Sequence, residues 1–489
     1  MKIFKALTIL FVLSFLATSC FEDNDDNQVS ANEINDFVWK GMNSWYNWQS
    51  QVPDLADSKD DNSNEYASYL NQFANPEDLF NSLRYQYGVT DRFSWFVDDY
   101  IEQEQQFQGI SKSFGMRYGA VQINSSGDVI IYVTYVANDS PASDANIKRG
   151  DIISALDGTT LNTTNFSQIV NTLYNDTVTF SFSEESGGTL SFVEDKTITS
   201  AVIYENPVYL AKVFPDIDGK KVGYLVYNSF ANSYNDELNA AFATFKNENI
   251  DELILDLRLN GGGSVATSSY LASMIYANAN EDVFASLEFN SKHSNENGSY
   301  FFSNTLNVYN ANNVKTGEET INRLTTINRL YVLTSNGTAS ASEMIINGLK
   351  PYIPVKLIGE TTYGKNVGSI TLYDSPSTDF TDKTSANPNH VNAMQPIVFQ
   401  IFNKNGESDY TQGFPPDIEV LEYNYWNNIL PFGDENEVVL KAALDDIQGI
   451  TSKIVSTKIS RTAKSLELKF QENKFEKDMY IDKTFFSKE

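Results

Sequence analysis

A multidomain α+β fold is predicted by three observations. At 489 residues the chain is too long for one ordinary domain, and its length suggests about two to four. Its periodicity changes twice, from helical spacing to short alternating strands and then to strands that alternate with helices. Its composition, 41% hydrophobic and 13% aromatic, is that of packed domains and excludes a disordered chain.

The first residues read as an address. Met1-Lys2-Ile3-Phe4-Lys5 supplies a positive flank, residues 6–16 form an apolar run too short to span a bilayer, and Ala17-Thr18-Ser19-Cys20 ends it on small residues. A cleaved signal over 1–19 is expected. The segment resembles a bacterial lipoprotein signal, which implies lipidation of Cys20 and an anchor in the outer membrane of a cell envelope, facing the periplasm or the exterior. Leu16 stands four positions before the cysteine, where three is more usual; an ordinary signal peptide with an incidental cysteine is the alternative. Cys20 is the only cysteine, so disulfides within the chain and cysteine metal sites are excluded. The acidic run Glu22-Asp23-Asn24-Asp25-Asp26 makes 20–34 a solvated tether, similar to acidic export signals of some Bacteroidetes lipoproteins. A net charge of -29 argues against a nucleic-acid partner, whose phosphates it would repel.

Residues 35–111 are predicted to form a helical module. Phe37, Val38, Met42, Trp45, Tyr46 and Trp48 fall near helical spacing, which is the pattern of a packing face. Asn75-Pro76-Glu77-Asp78 reads as a helix start, with a capping side chain, a proline in the first turn and acids at the positive dipole end.

Residues 112–203 switch to short strands, such as Val129–Val133 and Val178–Phe182, between Gly, Asn and Ser turns. Between them lie Asp139-Ser140-Pro141-Ala142, then Ile147-Lys148-Arg149-Gly150-Asp151-Ile152, then Leu156-Asp157-Gly158. This order resembles a bacterial PDZ domain. The resemblance implies that Phe114-Gly115-Met116-Arg117-Tyr118-Gly119-Ala120 forms the loop and strand that receive a peptide, with Tyr118, Gly119 and Ala120 on the receiving edge. A small β-domain that only packs on its neighbour is the alternative.

Over 204–450 strands alternate with helices, as expected of a mainly parallel sheet covered by helices. Predicted strands are 221–227, 253–257, 330–334 and 355–359; predicted helices are 237–245, 265–275 and 341–349. The Asn/Ser/Thr-rich stretches 286–325 and 375–395 read as surface insertions. Residues 451–489 shift to a Lys-rich composition with no role that the sequence assigns.

Two places carry chemistry. Asn336-Gly337-Thr338-Ala339-Ser340-Ala341-Ser342-Glu343 follows a strand and opens an apolar helix, so Ser340 sits where helix amides favour developing negative charge. A nucleophile and a simple helix cap are both open readings of it. Asp256-Leu257-Arg258-Leu259-Asn260-Gly261-Gly262-Gly263 ends a buried strand and exposes backbone amides where open α/β folds place their sites. It lacks the lysine and hydroxyl signature of a phosphate loop, and Asp256 and Arg258 suit orienting that loop. Only His293 and His390 could act as histidine bases, and both lie in polar loop-like stretches. Lys365, in Thr362-Tyr363-Gly364-Lys365, is the alternative base if burial lowers its pKa.

Together these motifs resemble the carboxyl-terminal processing peptidases of family S41, which are Ser-Lys proteases. The resemblance spans roughly 112–425 and includes Gly413-Phe414-Pro415-Pro416-Asp417-Ile418-Glu419-Val420 as a closing strand. It implies a PDZ-like domain before a crotonase-like (ClpP/crotonase-type) α/β core, and needs neither a metal nor an organic cofactor. It implies Ser340 as nucleophile, Lys365 as general base, and Gly262 and Ala341 as oxyanion amides. It also implies protein or peptide substrates engaged through their C-terminal tails. Two positions depart from the pattern: Ser369 stands where a glutamine often orients the lysine, and Gly261 where a proline is common. Ser369 therefore inherits the third catalytic role, and its short reach makes a catalytically impaired peptide-binding lipoprotein the alternative. The sequence names neither the substrate nor the oligomeric state.

Overall fold

The computed structural model describes residues 32–278, 282–310, 312–450, 463–466, 468 and 477–481. The predicted signal, Cys20 and nearly all of the acidic tether lie outside the described residues.

A six-stranded sheet forms the centre. Its order is Val208–Ile217, Lys220–Tyr227, Glu252–Asp256, Leu330–Thr334, Val355–Gly359 and Ile418–Glu419; the first pair is antiparallel and the remaining pairs are parallel. Alternate residues of each strand face opposite layers. Leu253, Leu255 and Val332 join the apolar cluster of helices Asn235–Glu248, Val265–Ile275 and Ala341–Leu349. Ile254, Tyr331 and Leu333 pack on the other side against helix Val438–Ile447. The connections from Lys220–Tyr227 to Glu252–Asp256 and from Leu330–Thr334 to Val355–Gly359 each pass through one α-helix, and because these strands are parallel the loops at their carboxyl ends gather at one rim.

The N-terminal segment is not an independent body. Helix Glu33–Trp45 is capped by Asn32, and Pro76–Ser82 by Asn75, whose side chain accepts from the Glu77 amide. Phe37, Trp45, Leu79 and Phe96 share one cluster with Leu255, Val332 and Ile345, and Trp45 packs on Phe289 and Phe37 on Phe380, so this segment is part of the same core. It is also not all helical. Trp95–Val97 is a strand, paired antiparallel with Ala393–Gln395. Three β-prone residues form a strand only when a partner, here from across the chain, supplies the ladder.

The PDZ-like segment folds into an antiparallel sheet of Met116–Gln122, Val129–Val136, Ile152–Leu156, Thr177–Ser186 and Thr189–Thr199. Ser140 caps the short helix Pro141–Asp144 by accepting from the Ser143 amide. Its own core holds Phe114, Tyr118, Ile131, Val170 and Phe180.

Two expectations change. The stretch 286–325 is not a surface insertion: Val283–Phe289 and Gly298–Phe301 are strands of a second sheet, and Leu287, Tyr300, Phe302, Leu306 and Ile321 are buried. Its many Asn and Ser residues mask an alternating apolar pattern. The stretch after 451 contributes strands Lys464–Leu466 and Met479–Tyr480, which lie against the PDZ-like sheet and in the second sheet.

Candidate active site

Ser340 precedes the first residue of helix Ala341–Leu349, at the carboxyl end of strand Leu330–Thr334. Its backbone has φ 64° and ψ -118°, a conformation unfavourable for a residue with a Cβ. The turn is held from both sides. Thr338 Oγ1 donates to the Leu257 carbonyl, and Ser342 Oγ donates to the Asn260 carbonyl at 3.0 Å. Ser342 is thereby a structural residue, whereas Ser340 Oγ is fully buried and makes no hydrogen bond. A hydroxyl kept out of water without a partner forgoes about 1–3 kcal/mol of stabilisation. Ser340 does stand at the N-cap, with Glu343 reaching back to its amide as in a capping box, but its own hydroxyl is not spent on a cap hydrogen bond.

Glu343, one turn along, ties the serine to the lysine loop. Its buried carboxylate accepts from the amides of Ser340 (3.0 Å), Gly364 (2.7 Å) and Lys365 (2.8 Å), and from the Thr362 hydroxyl (2.5 Å). Burial pushes the Glu343 pKa up, and these four donors pull it back. Sequence reasoning assigned Glu343 no part. The signal was only its place at the third position of a helix, where a carboxylate can reach back to the first amides.

Lys365 is 1% exposed. Burial lowers its pKa below that of an ordinary lysine, against the opposing pull of the Asp478 carboxylate. Its walls include Phe93 and Trp95 from the N-terminal segment, whose ring centroids lie 5.2 Å and 6.0 Å from Nζ. Lys365 does not hydrogen-bond Ser340 in this structure. Its Nζ donates instead to the Lys477 carbonyl at 2.8 Å and to Asp478 Oδ1 at 3.0 Å.

Ser369 reaches the lysine only through Asp478. Its Oγ lies 2.7 Å from Asp478 Oδ1 and accepts from Gln395 Nε2 at 3.0 Å, and the same Gln395 amide lies 3.1 Å from Asp478 Oδ2. Gln395 is held in turn by Gln103 and Thr371, both donating to its Oε1. A carboxamide absent at 369 thus reaches the same cluster from strand Ala393–Gln395, which belongs to another sheet.

The glycine loop sits beside Ser340. A Cβ on Gly262, whose φ is 125°, would meet the Asp478 carbonyl at 2.5 Å and Ser340 Oγ at 2.9 Å, so only glycine fits. The Gly262 amide differs from expectation. It donates to Asn260 Oδ1 at 2.9 Å, because that asparagine folds back onto the amide two residues on. The Gly263 amide is the one that donates to a carbonyl across the cleft, that of Asp478, at 2.7 Å. Ala341 begins the helix and is fully buried beside Ser340. Arg258, expected to orient the loop, is buried at its start and bonds Asp256, Glu422 and Glu437 with its side chain.

Both histidines are engaged elsewhere. His293 stacks on Trp45 at 3.5 Å, bonds Ser44, and is lowered by burial to a pKa of about 4; His390 bonds Asp374. Tyr118, Gly119 and Ala120 lie on strand Met116–Gln122 as expected, with the Tyr118 ring turned into the PDZ-like core against Phe180. A cavity of about 850 Å³ runs from this strand to the glycine loop and is lined by Tyr118, Arg258, Gly262 and Tyr363.

Fold and site together define a serine-peptidase scaffold carrying a PDZ-type domain. Three family models match in the same order: peptidase S41 N-terminal domain at 33–95, PDZ domain at 106–186 and peptidase family S41 at 221–420. By these matches the chain contains an S41 peptidase domain, preceded by an S41 N-terminal domain and a PDZ domain. Among curated relatives it is 24% identical over 309 residues to carboxyl-terminal-processing peptidase 2 of Arabidopsis thaliana chloroplasts, covering 58% of this chain and 54% of that protein. It is 23% identical over 315 residues to a carboxyl-terminal-processing protease of Picosynechococcus, covering 59% of this chain and 67% of that one. The chain therefore spans about half of the first relative's length and two thirds of the second's. A solved S41 protease candidate from Bacteroides fragilis superposes with a TM-score of 0.66 at 26% identity, over 85% of this chain and 98% of that one.

Proposed function

We propose that this chain is a serine endopeptidase of the carboxyl-terminal processing type. The observation that carries the proposal is the fully buried, unbonded Ser340 Oγ on a strained turn, joined through Glu343 to the loop of a buried lysine. Ser340 attacks the scissile carbonyl, neutral Lys365 takes its proton, and glycine-loop and Ala341 amides face the oxyanion. Gln395 meets the objection raised by Ser369, since it offers the missing carboxamide to the same cluster. The edge of Met116–Gln122, which accepts an added antiparallel strand, is suited to an extended peptide, which supports substrate engagement through protein tails.

Cleavage of unfolded, labelled casein by wild type, Ser340→Ala and Lys365→Ala tests the pair. Each variant is expected to lose about 10³-fold or more in kcat/KM. Because the base must be neutral, kcat/KM rises with pH and levels off above the folded pKa of Lys365, which burial places below the ordinary lysine value. Lys365→Arg stays charged and inactive at every pH. A flat profile between about pH 6 and 10 would remove the lysine from the mechanism.

We further propose a lipid anchor at Cys20 and an outer-membrane location, supported by the positive flank, the short apolar run and the single cysteine. Wild type expressed in a Gram-negative host is expected in the membrane fraction and Cys20→Ser in the soluble one. Equal partition of the two would end this reading.

A further inference from the structure

The C-terminal segment lies at both places where a peptide substrate would bind. Lys464–Leu466 pairs antiparallel with the edge of Met116–Gln122, with Leu466 opposite Ala120, Ser465 opposite Val121 and Lys464 opposite Gln122. That is the geometry of strand addition by a bound peptide. Leu468 completes the contact by burying itself in the PDZ-like core with Phe114, Met116 and Tyr118.

The second contact is in the catalytic cleft. Met479–Tyr480 runs between Gly263–Ser264 and Val367–Ser369, parallel to both. These are the glycine-loop strand and the strand that follows Lys365, so the segment lies between the oxyanion side and the base side. The Asp478 carbonyl accepts from the Gly263 amide at 2.7 Å, as a substrate carbonyl would. Its side chain does something a substrate need not do. The carboxylate holds Lys365 Nζ at 3.0 Å while the Lys477 carbonyl holds it at 2.8 Å, and Ser340 Oγ is left without a partner. An ion-paired lysine is an ammonium and takes no proton from serine.

We propose that this C-terminal segment is an intramolecular inhibitor, which occupies the PDZ edge with residues 464–466 and Leu468 and the cleft with 477–481, and disarms Lys365 through Asp478. The proposal rests on the reading of Ser340 and Lys365 as the catalytic pair. A protein substrate is then not only recognised by the PDZ-like edge but must displace the chain's own strand from it. Displacement at one contact weakens the other, because the two share one tether.

A tethered peptide sees an effective concentration on the order of mM, so even modest intrinsic affinity keeps most molecules closed. Truncation after Ile450 is expected to raise kcat/KM on labelled casein by about 10- to 100-fold. Asp478→Asn and Leu468→Asp in the full chain, which disturb one contact each, are expected to raise it less. A synthetic peptide of residues 463–481 added to the truncated chain restores inhibition, and its Asp478→Asn form inhibits more weakly. Because truncation removes buried Met479 and Ile481, circular dichroism must show the truncated chain folded. A folded truncated chain with unchanged or lower activity overturns the proposal, since the segment would then be part of the working site.

A separate readout does not depend on catalysis. Fluorescence anisotropy follows the labelled 463–481 peptide on the truncated chain carrying Ser340→Ala. Saturable binding, weakened by Leu468→Asp in the peptide, supports occupancy of the two contacts. Absence of binding overturns it. If the peptide binds while no form cleaves casein, the peptidase reading fails and the inhibitory role fails with it, although the occupancy stands.

Discussion

Ser340 is the residue at which local cost is plainest. A non-glycine residue at φ 64°, ψ -118° costs on the order of 1–3 kcal/mol, and its buried hydroxyl gains nothing back. Ser340→Gly should therefore raise stability by about 1 kcal/mol, after subtracting glycine's greater freedom in the unfolded chain, while abolishing cleavage. Urea unfolding of wild type, Ser340→Gly and Ser340→Ala reads this directly, because alanine keeps the strain that glycine releases. A glycine variant less stable than alanine would show that the turn is not strained. Ser340 and Lys365 were legible from motif and spacing, but Glu343 was not. Its role depends on amides 21 and 22 residues away converging on one carboxylate, and no local pattern encodes that. Gln395 was hidden for the same reason, since its Nε2 bonds Ser369 across 26 residues.

At the scale of elements, the strands and helices of the central sheet were readable because each buries a face with a regular period. Val265–Ile275 and Ala341–Leu349 end where the expected helices end, and Leu330–Thr334 and Val355–Gly359 match their predicted strands. Elements failed to show where pairing, not periodicity, makes them. Trp95–Val97 needs Ala393–Gln395 as a partner, and Met479–Tyr480 is two residues long between strands more than 100 positions earlier. The Asn- and Ser-rich stretch around them concealed Val283–Phe289 and Gly298–Phe301, although the first buries Phe284, Ala285, Leu287 and Phe289.

At the scale of the whole molecule, three segments of different periodicity share buried chemistry. Arg149, on the PDZ-like turn, bonds Glu422 and the Leu430 carbonyl of the core segment, and lies 3.4 Å from Glu437. Burial alone would raise the Glu437 pKa, but Arg258 and Arg149 overcome it and hold it at about 2. A carboxylate so depressed contributes stability that is fully present above its unfolded pKa of about 4.5 and lost as pH falls through about 2. Arg149→Ala leaves three acids, Asp256, Glu422 and Glu437, sharing Arg258. It should cost about 3 kcal/mol at pH 7, with a smaller deficit near pH 3. Thermal unfolding at the two pH values checks both the size and the sign; an equal deficit at both would mean that lost packing of Arg149 over the Phe432 ring, 4.1 Å away, accounts for the effect.

The sequence by itself determined the order of helical, PDZ-like and α/β segments, the serine turn, the lysine and the glycine loop, because each is written in local spacing or in a contiguous motif. Only the tertiary structure decided what surrounds them. It placed Phe93 and Trp95 against the lysine, brought Gln395 onto Ser369 and Asp478, and set the Asp478 carboxylate on Lys365 Nζ. Those contacts join residues up to about 300 positions apart, where burial and hydrogen bonding, not neighbouring sequence, select the partner.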